Sequence, residues 1–170
     1  GIEFYNISNP QFPIYLNNLQ IQGGGGGNTR CYYAKGKENT VYVSTNRGVA
    51  IINISNPSNP QFLGYIAGTQ GNQYILENMD IKDNILAISA HSDGVFLYNI
   101  SNPTNPVLYS VIPAQNAWAL SFYEELIYIG DSDRIKIFDI TNIQNPLEIY
   151  DLVVGNAIKD LSTNNDFLYI

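Results

Sequence analysis

One phrase is written four times in this chain. It reads YNISNPQFP from Tyr5 to Pro13, INISNPSNP from Ile52 to Pro60, YNISNPTNP from Tyr98 to Pro106, and FDITNIQNP from Phe138 to Pro146. Anchored on Asn6, Asn53, Asn99 and Asp139, the copies lie 47, 46 and 40 residues apart. A self-similar period of this size marks a repeat architecture, either stacked helical pairs or four-stranded propeller blades.

The local pattern selects strands. A glycine and an apolar run precede two of the phrases: Gly48-Val49-Ala50-Ile51-Ile52 and Gly94-Val95-Phe96-Leu97-Tyr98. These runs are short, β-branched or aromatic, and end in a Ser-Asn-Pro turn. Prolines three apart, as at Pro57 and Pro60, exclude a helix through the phrase. The turn is expected to use Asn6, Asn53, Asn99 and Asp139 as short polar caps, with Pro13, Pro60, Pro106 and Pro146 as stops. Asn6, Asn53 and Asn99 are also formal glycan acceptors. The Asp at position 139 keeps the side-chain oxygen without an acceptor nitrogen, which favours turn formation. Upstream of each phrase a second hairpin is expected, through Asp83-Asn84, Glu124-Glu125 and Asn164-Asn165-Asp166. Each period then holds four short strands.

The second and third strands are apolar on both faces: Val95 and Leu97 point one way, Phe96 and Tyr98 the other. A sheet with one wet face would alternate apolar and polar residues. A blade stacked between two others is covered on both sides. The expected fold is all-β, a β-propeller of four-stranded antiparallel blades with about four repeats. The units run approximately 1–27 (half a blade), 28–70, 71–115, 116–154 and 155–170 (half a blade). This phase begins inside a third strand and ends inside a second. It reads as a piece of a larger ring, or as a four-bladed ring whose halves pair.

These residues resemble the LVIVD-repeat family of bacterial and archaeal cell-surface propeller proteins. Gly48 to Pro60 and Gly94 to Pro106 follow its pattern, with Asn53 and Asn99 where that family usually has Asp. Asp139 keeps the Asp, but Arg134 stands for the glycine and Ile143 for the first proline. The resemblance implies a propeller in an extracellular or cell-surface setting and no catalytic residue.

Composition narrows the partners. The net charge is -7 and only 8 residues are Lys or Arg, too few for a phosphate-binding surface, so nucleic acid is not expected. No apolar run is long enough to insert in a membrane. The single Cys31 cannot form an internal disulfide and is expected to be a small buried hydrophobe.

Function is expected on the rim opposite the phrase. That rim carries the irregular turns Ser44 to Arg47, Ser89 to Asp93 and Gly130 to Asp133, together with the crossings between units. Loops on a rigid scaffold are where binding usually resides. Trp118, Arg47, His91 and Asp93 are the candidate ligand-binding residues, for a protein or glycan partner, with the chain part of a longer protein or surface assembly. Asp131-Ser132-Asp133 lacks the rest of a calcium loop, so no metal site is expected. The run Gly23 to Gly27 lacks the Lys-Ser/Thr of a phosphate loop and is expected to be a crossing loop, so no cofactor is expected. The expected activity is non-enzymatic binding. Two alternatives remain at this point. One is a hydrolase or lyase with a channel site drawn from Asp80, Asp160, Lys159 and His91, with Asp80 and Asp160 at similar inner-strand positions. The other is a structural subunit of a surface layer or filament.

Overall fold

Short β-branched runs separated by two-residue polar turns form hairpins, and here they do so four strands at a time. The computed structural model describes residues 1–21, 29–66, 69, 76–164 and 166–170. The five-glycine run lies outside the described residues.

The first half-blade is β1 (Ile2–Asn6) paired with β2 (Ile14–Leu19). The first complete blade follows, with β3 (Cys31–Lys37), β4 (Thr40–Thr45), β5 (Gly48–Asn53) and β6 (Gln61–Tyr65) in that spatial order. The second holds β7 (Met79–Lys82), β8 (Ile85–Ser89), β9 (Val95–Asn99) and β10 (Val107–Ile112). The third holds β11 (Ala117–Tyr123), β12 (Leu126–Asp131), β13 (Arg134–Asp139) and β14 (Leu147–Val153). A last pair, β15 (Ser162–Asn164) and β16 (Phe167–Tyr169), is antiparallel and stands as its own sheet. Every strand pairs antiparallel with its sequence neighbour, as a meander requires.

The sheets stack face to face and the core lies between them. Tyr42, Val49 and Ile51 of the first blade pack with Met79, Leu86, Ile88 and Tyr98 of the second. Ala87, Val95 and Leu97 leave the other face of the second blade and pack with Leu120, Ile127, Ile129 and Phe138 of the third. The alternation of Leu97 and Tyr98 thus serves two interfaces. The flanking half-blades pack likewise, Phe4 and Ile21 against Val43 and Ile52, and Ile158 and Leu161 against Ala119 and Ile135. This is the β-propeller that the both-sided apolar pattern implies.

The phrase forms a double turn on one rim. Asn6, Asn53, Asn99 and Asp139 each accept a hydrogen bond through Oδ1 from the backbone N–H two residues on, at 2.8–2.9 Å. Asn9, Asn56, Asn102 and Asn142 repeat the device at 3.1–3.3 Å. The residue after three of the caps then ties the corner to the first hairpin turn of its blade: the N–H groups of Ile54, Ile100 and Ile140 donate to Asn39, Asn84 and Glu125. Both kinds of turn therefore share a rim.

Cys31 departs from expectation. It is exposed, at the first residue of β3, a strand whose residues are exposed or half-buried along its whole length.

Candidate functional site

The opposite rim is built where the turn between second and third strands meets the crossing into the next blade. His91 and Ala117 exchange backbone hydrogen bonds at 3.1 Å, joining the turn of the second blade to the start of the third. Ser132 in turn bonds Asn116 and accepts from Ile158, joining the third blade to the last half-blade. Tight turns here force left-handed backbone at His91 (φ 50) and Ser132 (φ 60).

Pairing register sets which inner-strand residues are equivalent. Tyr33 lies opposite Ser44, Asn78 beside Ser89, and Ala119 opposite Gly130. Ser44 and Ser89 make the same bond, each hydroxyl accepting the backbone N–H of Tyr33 or Asn78 at 2.9 and 3.0 Å. By the same count Asp160 matches Tyr33, Asn78 and Ala119. Asp80 instead matches Lys35, Ser121 and Ser162, whose partners are Ala87, Tyr42, Tyr128 and Tyr169. Asp80 and Asp160 are therefore two residues out of phase and do not share an inner-strand position. The crossings before these strands differ in length, so proximity to the turn misassigns the register.

Asp80 is part of the channel wall. Its Oδ1 lies 2.9 Å from the Lys35 ammonium, and its Oδ2 accepts the Phe122 N–H at 2.9 Å. One carboxylate thus ties the inner strands of three blades. Burial pulls the Lys35 pKa down, but the hydrogen bond and charge of Asp80 outweigh it, leaving a net rise. Thr163 continues the wall, donating to the Phe122 carbonyl at 2.9 Å and sharing a 2.9 Å bond with Ser121.

One position further toward the irregular rim stand Tyr32, Glu77, Trp118 and Lys159, equivalent on β3, β7, β11 and β15 or the residues leading into them. Four repeats place four different chemistries there: a phenol, a carboxylate, an indole and an ammonium. Two of the four meet directly, and His91 links a third to them. The Lys159 ammonium lies over the Trp118 ring, a cation–π arrangement. The His91 imidazole sits against the same indole, 4.7 Å between centroids, and its Nε2 is 3.3 Å from a Glu77 carboxylate oxygen. Behind them Asn78 donates to Asp160 at 3.3 Å, which joins the second blade to the last half-blade. Beside Lys159 and Asp160 opens a pocket of about 410 Å³, also lined by Val154, Ile158 and Ile170.

Of the residues singled out from sequence, the structure brings Trp118 and His91 together. Asp93 is exposed on the His91 turn, and Arg47 lies half-buried on the equivalent turn of the preceding blade. Glu77 and the Lys159–Trp118 pairing went unseen in the sequence; the correct register would have exposed both. Asp131 proves to be a clamp: buried, it accepts the N–H groups of Gln115 and Asn116 at 2.9 and 2.6 Å and faces the Lys136 ammonium at 3.1 Å. Its Oδ1 thereby fixes the crossing into the Trp118 strand. Among the described residues no helix is long and apolar enough to cross a membrane.

Comparison with known proteins agrees with this architecture. The LVIVD repeat model matches residues 36–67 and 114–151, which fall on the first and third complete blades. Among solved structures the chain is similar to the computationally designed propeller Ika4, at 18% identity and a TM-score of 0.67, over 89% of this chain and 90% of that one. It matches the designed Ika8 protein at the same identity and TM-score, over 92% of this chain and 45% of that one. The N-terminal domain of Nup159 is a more distant likeness, at 8% identity and a TM-score of 0.52, over 79% of this chain and 36% of that one. No curated protein matches the sequence significantly. These likenesses bear on the fold alone.

Proposed function

We propose that this chain, two of whose blades match the LVIVD repeat, is a non-enzymatic interaction module of a secreted or cell-surface protein, binding a protein or glycan partner through the irregular rim. One observation carries the reading. The corner rim repeats its chemistry at every copy, whereas the channel mouth varies it at equivalent positions: Tyr32, Glu77, Trp118, Lys159. A scaffold that holds backbone geometry constant and changes the side chains at one ring position is suited to recognition. The indole flanked by a cation and an imidazole supplies stacking area and directed polar groups in one place.

The channel residues support binding over catalysis. Asp80 holds the wall with both oxygens, and His91 and Asp160 engage Glu77 and Asn78. The test is a glycan and protein array probed with the wild-type chain and with Trp118→Ala and Lys159→Ala. Ligands that bind the wild type and lose both variants support the rim as the site. Binding that survives both substitutions moves it elsewhere, and turnover of an array ligand would establish an enzyme instead.

A further inference from the structure

Neighbouring complete blades make one contact twice, with different chemistry each time. Lys37 and Lys82 end β3 and β7 at equivalent positions, opposite Thr40 and Ile85. Each ammonium reaches the first hairpin turn of the next blade, where Asn84 and Glu125 are the matching residues. Lys82 meets the Glu125 carboxylate at 2.9 Å, so its charge is balanced across the interface. Lys37 donates instead to the Asp83 carbonyl and to Oδ1 of the neutral Asn84. Among the described residues no carboxylate pairs with it.

The side chains beneath these contacts differ in the same sense. Between the second and third blades they are Ile85 and Ala87, packed in the apolar core. Between the first and second blades the equivalent positions hold Thr40 and Tyr42, which are 8% and 1% exposed. Neither hydroxyl bonds a described residue, although both side chains are more than nine-tenths buried. Both line a cavity of about 50 Å³ that opens between the two blades, together with Lys37, Glu38, Asn84 and Ser101. Buried hydroxyls without a protein partner mark a place that a polar occupant fills. The space takes about three waters, or the carbon and two oxygens of a carboxylate.

We propose that this cavity binds the carboxylate group of a small organic acid, at a site separate from the channel mouth. Lys37 supplies the charge, and the Tyr42 and Thr40 hydroxyls supply donors from the floor. Burial, then the charge of Glu38, pushes the Tyr42 phenol up to about 12, which keeps it a donor at neutral pH. Asn84 uses its Oδ1 on Lys37 and keeps its Nδ2 as a further donor. Glu38 on the wall limits the ligand: its charge opposes a dianion such as phosphate, while the Lys37 ammonium opposes a metal cation. A single carboxylate balances Lys37 as Glu125 balances Lys82.

The test is an NMR titration of the chain with sodium acetate, against sodium chloride at equal ionic strength. Saturable shifts are expected at Lys37, Tyr42, Asn84 and Ser101 with acetate and not with chloride. Acetate affinity is expected to fall about tenfold or more in Lys37→Met and in Tyr42→Phe, each of which removes a donor to a charged group. Lys82→Met, at the balanced interface, is expected to leave that affinity unchanged. Absence of saturable shifts means that the cavity holds water only, and overturns the proposal. Affinity undiminished in both Lys37→Met and Tyr42→Phe also overturns it, by moving acetate elsewhere. So does an equal loss in Lys82→Met, which makes acetate a general surface counterion.

Discussion

Each corner of the molecule is held by two short side chains that stand in for backbone. Asn99 caps Ser101, and Asn102 caps Thr104, before the chain turns into β10. Asp139 does the same work with a charge, and the Thr141 hydroxyl and N–H, in that order, hold its carboxyl below the usual carboxylate range. A depressed carboxylate stabilises the fold above its unfolded pKa, and that contribution fades as pH falls through the lower folded value. Asp139→Asn is therefore expected to keep the turn and remove this part of the acid sensitivity, read as a flatter melting temperature below pH 4 or so. Asn99→Asp is expected to be tolerated, while Asn99→Ala costs about 1 kcal/mol in urea denaturation. The corner was readable in the sequence because side-chain turn chemistry is local. The exposure of Cys31 was not, because burial depends on where the blade faces close, and no local pattern reports that.

Within a blade, two constraints act on the middle strands: both faces are largely covered, and the glycine that opens the third strand lies close against the chain at the end of the outer strand or just beyond it. Gly94 has φ 92, and a Cβ there would run into the Ile112 carbonyl oxygen. Gly48, with φ 124, would meet the Thr69 carbonyl oxygen at 2.6 Å. Gly94→Ala is expected to destabilise by more than about 1 kcal/mol, from a residue forced into left-handed backbone against a wall. The third blade carries Arg134 at the position of this glycine, and its Nε donates to Asp151 at 2.7 Å. Core burial also sets an alkaline limit. Burial, then the charge of Glu38, pushes the Tyr42 phenol from 10.0 up to about 12. A raised acid contributes stability below its unfolded pKa and loses it as pH rises through the folded one. The protein is expected to weaken between about pH 10 and 12, and Tyr42→Phe to flatten that step in thermal melts. Leu97→Ala, removing a buried contact between blades, is expected to cost about 2–5 kcal/mol.

At the level of the whole molecule, the repeat separates a rim that is copied from a rim that varies. The four-stranded unit and the stacking of units follow from period and pattern, both of which a single sequence displays. The phase of the inner strands does not, because crossings of unequal length hide it. That is why Asp80 and Asp160 look alike in sequence and stand two residues apart in the fold. It is also why Glu77 and Lys159 gain meaning only beside Trp118. Asp131, which resembles half of a metal loop, is the anchor of the crossing that presents the indole. The decisive measurement uses Trp118, the single tryptophan, as its own reporter. Its emission is followed while an array-selected glycan or protein ligand is titrated into the wild type, Lys159→Ala, and the corner variant Asn56→Ala. The expected result is a saturable change in emission, weakened tenfold or more (about 1.4 kcal/mol) by Lys159→Ala and unchanged in affinity by Asn56→Ala. Unaltered affinity in Lys159→Ala together with loss in Asn56→Ala would place recognition on the copied rim and contradict the site described.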